Sequence, residues 1–239
     1  MAAVVLAYVI FSLTGFGSAL VAAPLLAHVM PVSTVIPLLA ILDCTASVRR
    51  GIHLKKEIAR YEIVALIPAM LAGNVLGATF IFTLSSRILM LMLGIFIIGY
   101  ALYALSGFQS HKPIARAYAI LYGFCGGVLS AMFGSGGFLY ALYLHKRLPS
   151  IQAIRATQSA IISVSTFIRV VIFAFASVYY RLSFWIWIGL LIPAMLLGEF
   201  LGQRISLHLS IHRFKMILHG LLLLSGTSLI LRYWLSASY

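Results

Sequence analysis

Two arginines lie in or near one long apolar stretch, residues 151–178. An α-helix turns about 100° per residue, so four polar side chains of this stretch fall within roughly 80° of one another. They are Arg155, Ser159, Thr166 and Arg169, with Gln158 at the border of the same face. Guanidinium groups match oxyanions through forked hydrogen bonds, so this face indicates an anion path. The alternative interpretation is that Arg155 reaches out from a helix start and that Arg169 pairs with a carboxylate.

Glycine-rich turns interrupt two other apolar stretches, at TGFGSA (14–19) and FGSGGF (133–138). Each glycine costs a helix interior about 1 kcal/mol, so the clusters predict a break in each helix. The freed N–H groups and the new helix N-termini favour anions. We therefore predict substrate contacts at Gly15, Phe16, Gly17, Ser18, Gly134, Ser135, Gly136 and Gly137. Close helix packing is the alternative use of these glycines.

The sequence has four acidic residues, of which two lie deep in apolar stretches. Glu57 lies in a basic loop, and Glu62 begins a helix, where a carboxylate suits the N-terminus. Asp43 and Glu199 are candidates for proton coupling or for neutralising an arginine, and structural ion pairing explains them equally well.

Enzymatic and metal chemistry find little support in the sequence. Ser135 lies between two glycines, but Phe133 departs from the Gly-x-Ser-Gly pattern of membrane proteases and no histidine is placed as a base. The histidines show no metal-ligand spacing, and Cys44 and Cys125 suggest neither a disulfide framework nor a zinc site. We expect no catalytic residue, no metal and no cofactor.

The composition explains which elements must carry these residues. Of the 239 residues, 63% are hydrophobic and 9% charged, against roughly 45–50% and about 25% in soluble domains. A soluble fold could not bury so much apolar surface, so the chain is predicted to be an all-α polytopic membrane protein. We read eight apolar segments, at 2–30, 33–48, 61–82, 88–106, 117–144, 151–178, 183–203 and 214–235.

The net charge of +13 is distributed in short clusters between the apolar segments. Nucleic-acid binding would need these cations on a water-facing surface, so we expect the lipid bilayer and no nucleic acid as partner. The sequence leaves a homo-oligomer open.

The two halves of the chain resemble each other. IPAMLAGNVLG (67–77) recurs as IPAMLLGEFLG (192–202), with eight of eleven positions identical. Each half also begins with a segment that carries a glycine-rich turn. We predict two four-segment repeats in one membrane domain, at 1–106 and 107–239, a pattern common among secondary transporters. Gly73/Gly77 and Gly198/Gly202 have the spacing of close helix contacts.

The distribution of Lys and Arg favours re-entrant hairpins for segments 1 and 5, which would make the repeats inverted. The cytoplasmic side then holds twelve basic residues: Arg49, Arg50, Lys55, Lys56, Arg60, Lys112, Arg116, Lys146, Arg147, Arg204, Arg213 and Lys215. The outer side holds Arg87, Arg181 and Arg232. If both segments crossed fully, the contrast would fall to nine against six.

These motifs together resemble the sulfite exporter TauE/SafE family of membrane permeases over nearly the whole chain. The resemblance rests on GFGSALVAAPLL (15–26) followed by Pro31, on FGSGGFLYALYL (133–144) followed by Pro149, and on RATQSAIISVSTFIRVVIFAFAS (155–177). Two of the family's glycines are replaced in the first turn, and the second copy lacks the equivalent of Pro24.

The resemblance implies export of a small sulfur-containing anion, sulfite or an organosulfonate, across the bacterial inner membrane. The residues themselves point to an anion without separating a sulfonate from a carboxylate or another oxyanion. An anion channel and a non-transporting membrane assembly factor are the alternatives to a permease.

Overall fold

The computed structural model describes residues 1–53, 57–106, 113–180, 182–205 and 211–235. Within these ranges the chain is all-α, as predicted, with ten α-helices and one 3₁₀ turn at Val178–Tyr180. The helices are α1 (Ala2–Thr14), α2 (Ser18–Leu26), α3 (Val32–His53), α4 (Arg60–Thr83), α5 (Ser86–Leu105), α6 (Tyr118–Phe133), α7 (Gly137–His145), α8 (Ile151–Phe175), α9 (Leu182–Ile205) and α10 (Ile211–Leu235).

Five helices of the described chain are long and apolar enough to cross a membrane: α3, α4, α5, α8 and α9. A spanning helix needs roughly 20 apolar residues, and large apolar side chains such as Ile120, Ile186 and Leu224 are exposed on the outer surface. The predicted multi-pass membrane architecture is therefore confirmed.

Segments 1 and 5 are each broken into two helices at the predicted turns. Gly15 and Gly17 have φ values of 84° and 91° between α1 and α2, and Gly134 has a φ of 70° between α6 and α7. A side chain with a Cβ adopts this left-handed conformation only at a cost, so glycine allows the chain to leave one helix and start the next within three residues.

The helices α6 and α7 fold back on each other. The rings of Tyr122 and Tyr143 lie 5.7 Å apart, and the Arg147 guanidinium, just after α7, donates to the carbonyl of Ile114, just before α6, at 3.2 Å. Both ends of this helix pair therefore lie at the same end of the molecule. Its placement as a re-entrant hairpin in the membrane stays a prediction.

The two halves of the chain interlock through pairs of helices. The largest contacts join α4 to α6, α1 to α9, α5 to α10 and α3 to α8, and each pair takes one helix from residues 1–106 and one from 107–239. Two related halves would give this exchange of partners, although the repeat and the boundary between halves stay predictions.

The paired glycines serve close helix packing, as their spacing predicts. A Cβ added to Gly77 would lie 2.5 Å from the carbonyl oxygen of Val128 on α6, and one on Gly198 would lie 2.5 Å from that of Val5 on α1. Glycine at these positions lets the helix backbones approach closely, which packs α4 against the broken helix α6 and α9 against α1.

Candidate functional site

Arg169 lies near the C-terminal end of α8 and is only 1% exposed. The sequence builds this helix with one polar face, and Ser165, Thr166 and Arg169 are buried on it. Its start is capped by Ser150, whose hydroxyl accepts from the Ala153 N–H at 3.4 Å. The length of α8 thereby carries a guanidinium into the middle of the helix bundle.

Two of the three guanidinium nitrogens of Arg169 contact other groups of the described chain. Nη1 donates to the carbonyl of Ser130 at 2.7 Å, and Nη2 lies 3.5 Å from Oδ2 of Asp43. The Ser130 carbonyl belongs to the last turn of α6, where a cation favourably meets the negative end of the helix. Nε is buried and has no hydrogen-bond partner in the described chain.

Asp43 joins Arg169 to the first broken helix. Its Oδ1 accepts from the hydroxyls of Tyr8 at 2.7 Å and Ser18 at 2.6 Å. Helices α1, α2, α3, α6 and α8 therefore meet around one buried ion pair. Folding removes the hydration of both charges, so such a pair adds little net stability. A role in function therefore explains its burial better than a role in stability.

A small closed cavity lies beside this ion pair, with a volume of about 20 Å³. It has room for about one water molecule and is too small for a polyatomic oxyanion. Its lining combines polar and apolar residues: Phe11, Phe16, Gly17, Ser18, Asp43, Ser130, Gly134, Gly137, Tyr140, Ile162, Ser165, Thr166 and Arg169. A larger groove of about 400 Å³, lined by Ala117, Tyr118, Ile120, Leu121 and Phe124, lies on the outer face of α6 and contains no charged side chain.

Two helix N-termini end at the cavity. The α2 helix begins at Ser18 after Gly17, and α7 begins at Gly137 after Gly136, and neither start has a side-chain cap. The first N–H groups of a helix have no partner inside it and carry a partial positive charge. Both broken helices therefore direct backbone donors toward the region that Arg169 also faces.

Most of the predicted substrate contacts gather at this cavity. Its lining includes Phe16, Gly17, Ser18, Gly134, Gly137, Thr166 and Arg169, together with the predicted coupling residue Asp43.

Four other predicted residues are buried around the cavity without lining it. Gln158 donates to the carbonyl of Gly137 at 3.5 Å, and the Ser135 hydroxyl donates within its own turn to the carbonyl of Phe133 at 3.1 Å. Ser159 is buried on α8. Gly136 packs against the backbone of α6, where an added Cβ would overlap Gly126.

The structure does not bring two of the predicted helix residues and Gly15 to the cavity. Arg155 is exposed in the first turn of α8, about 21 Å along the helix from Arg169 at 1.5 Å per residue. Glu199 forms an ion pair with Arg49 at 3.2 Å, and the Arg49 side chain is 55% exposed. Gly15 closes α1, donating to the carbonyl of Phe11.

Several residues that line the cavity or contact Asp43 beside it were missed by the sequence reasoning. Tyr8 and Tyr140 lie in apolar runs where an aromatic residue usually serves packing or the membrane interface. Ser130 and Ser165, whose hydroxyls are 2.9 Å apart, were also missed. A signal was present at Ser165 alone, because it adjoins Thr166 on the polar face of α8.

A family model described as sulfite exporter TauE/SafE matches residues 1–229. The chain belongs to this sulfite exporter TauE/SafE family. A relative from Comamonas testosteroni, described as the probable inner membrane transporter protein TsaS, is 27% identical over 208 residues, covering 82% of this chain and 83% of the relative. No solved structure matches the chain.

The match confirms the family resemblance indicated by the glycine-rich turns and residues 155–177. The protein is a multi-pass inner-membrane transporter of the TauE/SafE type. The cavity between its broken helices is where Arg169, Asp43 and the two helix N-termini come together.

Proposed function

We propose that this TauE/SafE transporter is a permease that binds a small sulfur oxyanion, sulfite or an organosulfonate, in the cavity beside Arg169. The observation that carries the proposal is a buried guanidinium with a free Nε that lines a cavity at which two helix N-termini end. Fixed donors in a site without bulk water favour an anion strongly. The family description and the printed name of the relative support transport, and the word exporter in that description supports the outward direction.

The closed cavity requires a conformational change during transport. At about 20 Å³ it does not admit the substrate as it stands. Helices of the two halves meet at the ion pair, since Asp43 lies on α3 and Arg169 on α8. Rocking of one half against the other would open the cavity to each side in turn, as in other transporters with repeated halves.

Charge balance supports proton coupling through Asp43. Arg169 and Asp43 neutralise each other in the closed cavity, so an added monovalent anion would leave one uncompensated buried charge, which is costly. A proton on Asp43 restores neutrality and leaves the positive Arg169 to the anion. The titratable or charged side chains in contact with this carboxyl group are Tyr8 and Arg169. Cys44 is close enough to interact electrostatically with Asp43, and Glu199 with Tyr8.

Substrate flux into or out of proteoliposomes tests the proposal. Wild-type protein is expected to show saturable flux of sulfite or a sulfonate, and Arg155→Ala, which removes an exposed arginine from the same helix, is expected to keep it. Arg169→Lys keeps the charge but loses the planar fork, so its flux is expected to fall at least tenfold.

The alternatives give different results in the same assay. Flux that does not saturate and carries large currents would indicate a channel. Flux of carboxylates alone would reassign the substrate class. Absence of flux for every anion, in wild-type protein with intact binding of a partner complex, would favour an assembly factor.

A further inference from the structure

Tyr140 lies on α7, its side chain is fully buried, and it lines the cavity beside Arg169. The ring packs over Gly126 of α6, where an added Cβ would overlap it. Because Gly126 has no side chain, the Tyr140 ring can pack directly against the backbone of α6.

The Tyr140 hydroxyl makes no hydrogen bond within the described chain. Ser165 is the neighbouring side chain with which it interacts, but the two hydroxyls do not reach hydrogen-bonding geometry, and the Ser165 hydroxyl is within 2.9 Å of Ser130. Leaving a buried hydroxyl without a partner costs free energy, so a partner outside the protein is the economical explanation.

Arg169 Nε is a second buried donor without a partner, and it lines the same cavity. The other two nitrogens of this guanidinium are engaged by Ser130 and Asp43. Two residues with unused donors, on the different helices α7 and α8, therefore line one cavity, together with the apolar side chains of Phe11 and Phe16.

We propose that the Tyr140 hydroxyl and Arg169 Nε together hold two oxygens of the transported anion, which makes Tyr140 a substrate-binding and specificity-determining residue. This inference rests on the proposed function. The pair can engage an anion while Nη1 and Nη2 keep their contacts with Ser130 and Asp43, and a proton on Asp43 would leave these contacts in place. A site built to donate a hydrogen bond discriminates against ligands that cannot accept it.

A bound water provides the competing explanation. Asn74 Oδ1 is a buried acceptor without a partner, and its amide nitrogen lies 3.4 Å from the Ser165 hydroxyl. A water that joins Tyr140 to Asn74 would satisfy both groups without any role in anion binding.

Tyr140→Phe and Tyr143→Phe form a matched pair of variants for the test. Tyr143 is also buried on α7, but its hydroxyl donates to Glu62 at 2.5 Å. In thermal unfolding of the purified full-length protein, titrated with sulfite and with methanesulfonate, wild type defines the anion response. Tyr140→Phe is expected to unfold at the wild-type temperature without anion and to need about 10- to 100-fold more anion for the same shift. Tyr143→Phe is expected to unfold at a lower temperature and to keep the wild-type anion dependence.

The outcomes separate this inference from the proposed function. A Tyr140→Phe variant with the wild-type anion dependence overturns the assignment of Tyr140 and leaves the permease proposal standing. A Tyr140→Phe variant that is less stable without anion, with unchanged affinity, assigns the hydroxyl to the bridging water. A wild-type protein that responds to none of the anions overturns the proposed function itself, and the role of Tyr140 with it.

Discussion

Two ion pairs of this transporter, one partly exposed and one buried, differ in how completely their hydrogen-bonding groups are satisfied. At the base of the α6–α7 pair, Glu62 accepts from Tyr143 at 2.5 Å and from Arg147 Nε at 2.8 Å. In the middle of the bundle, Arg169 Nη2 and Asp43 Oδ2 are 3.5 Å apart, and Arg169 Nε has no hydrogen-bond partner among the described residues.

The surroundings of the two pairs differ in the same direction. The Arg147 side chain is 25% exposed, and the hydrogen bond that it donates to Glu62 raises the pKa of Arg147 above its usual value. The Asp43–Arg169 pair lies beside a cavity and two helix N-termini. The Glu62–Arg147 pair, called the latch below, has its carboxylate satisfied by hydrogen bonds and serves structure. The Asp43–Arg169 pair keeps a hydrogen-bond donor, Arg169 Nε, that no group of the described chain uses.

Removing the central arginine has the largest expected effect. Arg169→Ala leaves Asp43 buried without a counter-charge, which should cost about 3–5 kcal/mol of stability and abolish anion flux. The double variant Asp43→Ala/Arg169→Ala removes both charges and should recover most of the stability, measured by thermal unfolding, without recovering flux. Recovery of flux in the double variant would show that the pair has no part in binding.

Asp43→Asn tests the coupling role of the central carboxylate, with Glu199→Gln as the control. Transport is electroneutral when one proton moves together with each monovalent anion. An anion that moves alone across 100 mV changes its free energy by about 2.3 kcal/mol. We expect wild type and Glu199→Gln to respond to a pH gradient, and Asp43→Asn to respond to an imposed membrane potential instead. Wild-type flux that ignores the pH gradient would exclude proton coupling.

The latch is expected to affect stability and leave transport chemistry intact. Glu62→Ala leaves the buried hydroxyl of Tyr143 without its acceptor, at a cost of about 1–3 kcal/mol. Thermal unfolding should show the loss, and the substrate concentration for half-maximal flux should stay at the wild-type value. A changed substrate affinity in Glu62→Ala would contradict the division of the two ion pairs into a latch and a site.

His28 provides the smallest effect, at the loop between α2 and α3. Burial and the nearby Arg232 lower the pKa of this histidine below its usual value of 6.5. The unfolded chain therefore binds the proton first, and stability should fall as the pH drops from about 7 through 6. His28→Asn should flatten this part of the stability-against-pH curve, and an unchanged slope would assign the pH dependence to other groups.

The sequence predicted which turns and helices form the site better than it predicted how deeply each side chain lies in the helix bundle. The turns at Gly15–Ser18 and Gly134–Gly137 were recognised because glycine clusters are unfavourable in helix interiors. Helical periodicity placed Arg155 and Arg169 on one face but carries no information about depth, so only Arg169 reaches the cavity. Tyr140 could not be identified, because its role depends on a backbone approach at Gly126 that no local pattern encodes.

The most direct test of an anion site at Arg169 is thermal stabilisation of the detergent-solubilised protein by sulfite, sulfate, thiosulfate, alkyl sulfonates and carboxylates of matched size. An anion at 100 times its dissociation constant should add about 2.7 kcal/mol to the stability of the folded form. We predict this shift with sulfite or a sulfonate in wild type and in Arg155→Ala, and its absence in Asp43→Ala/Arg169→Ala. A shift that persists in the double variant, or that disappears in Arg155→Ala, would contradict the assignment of the binding site.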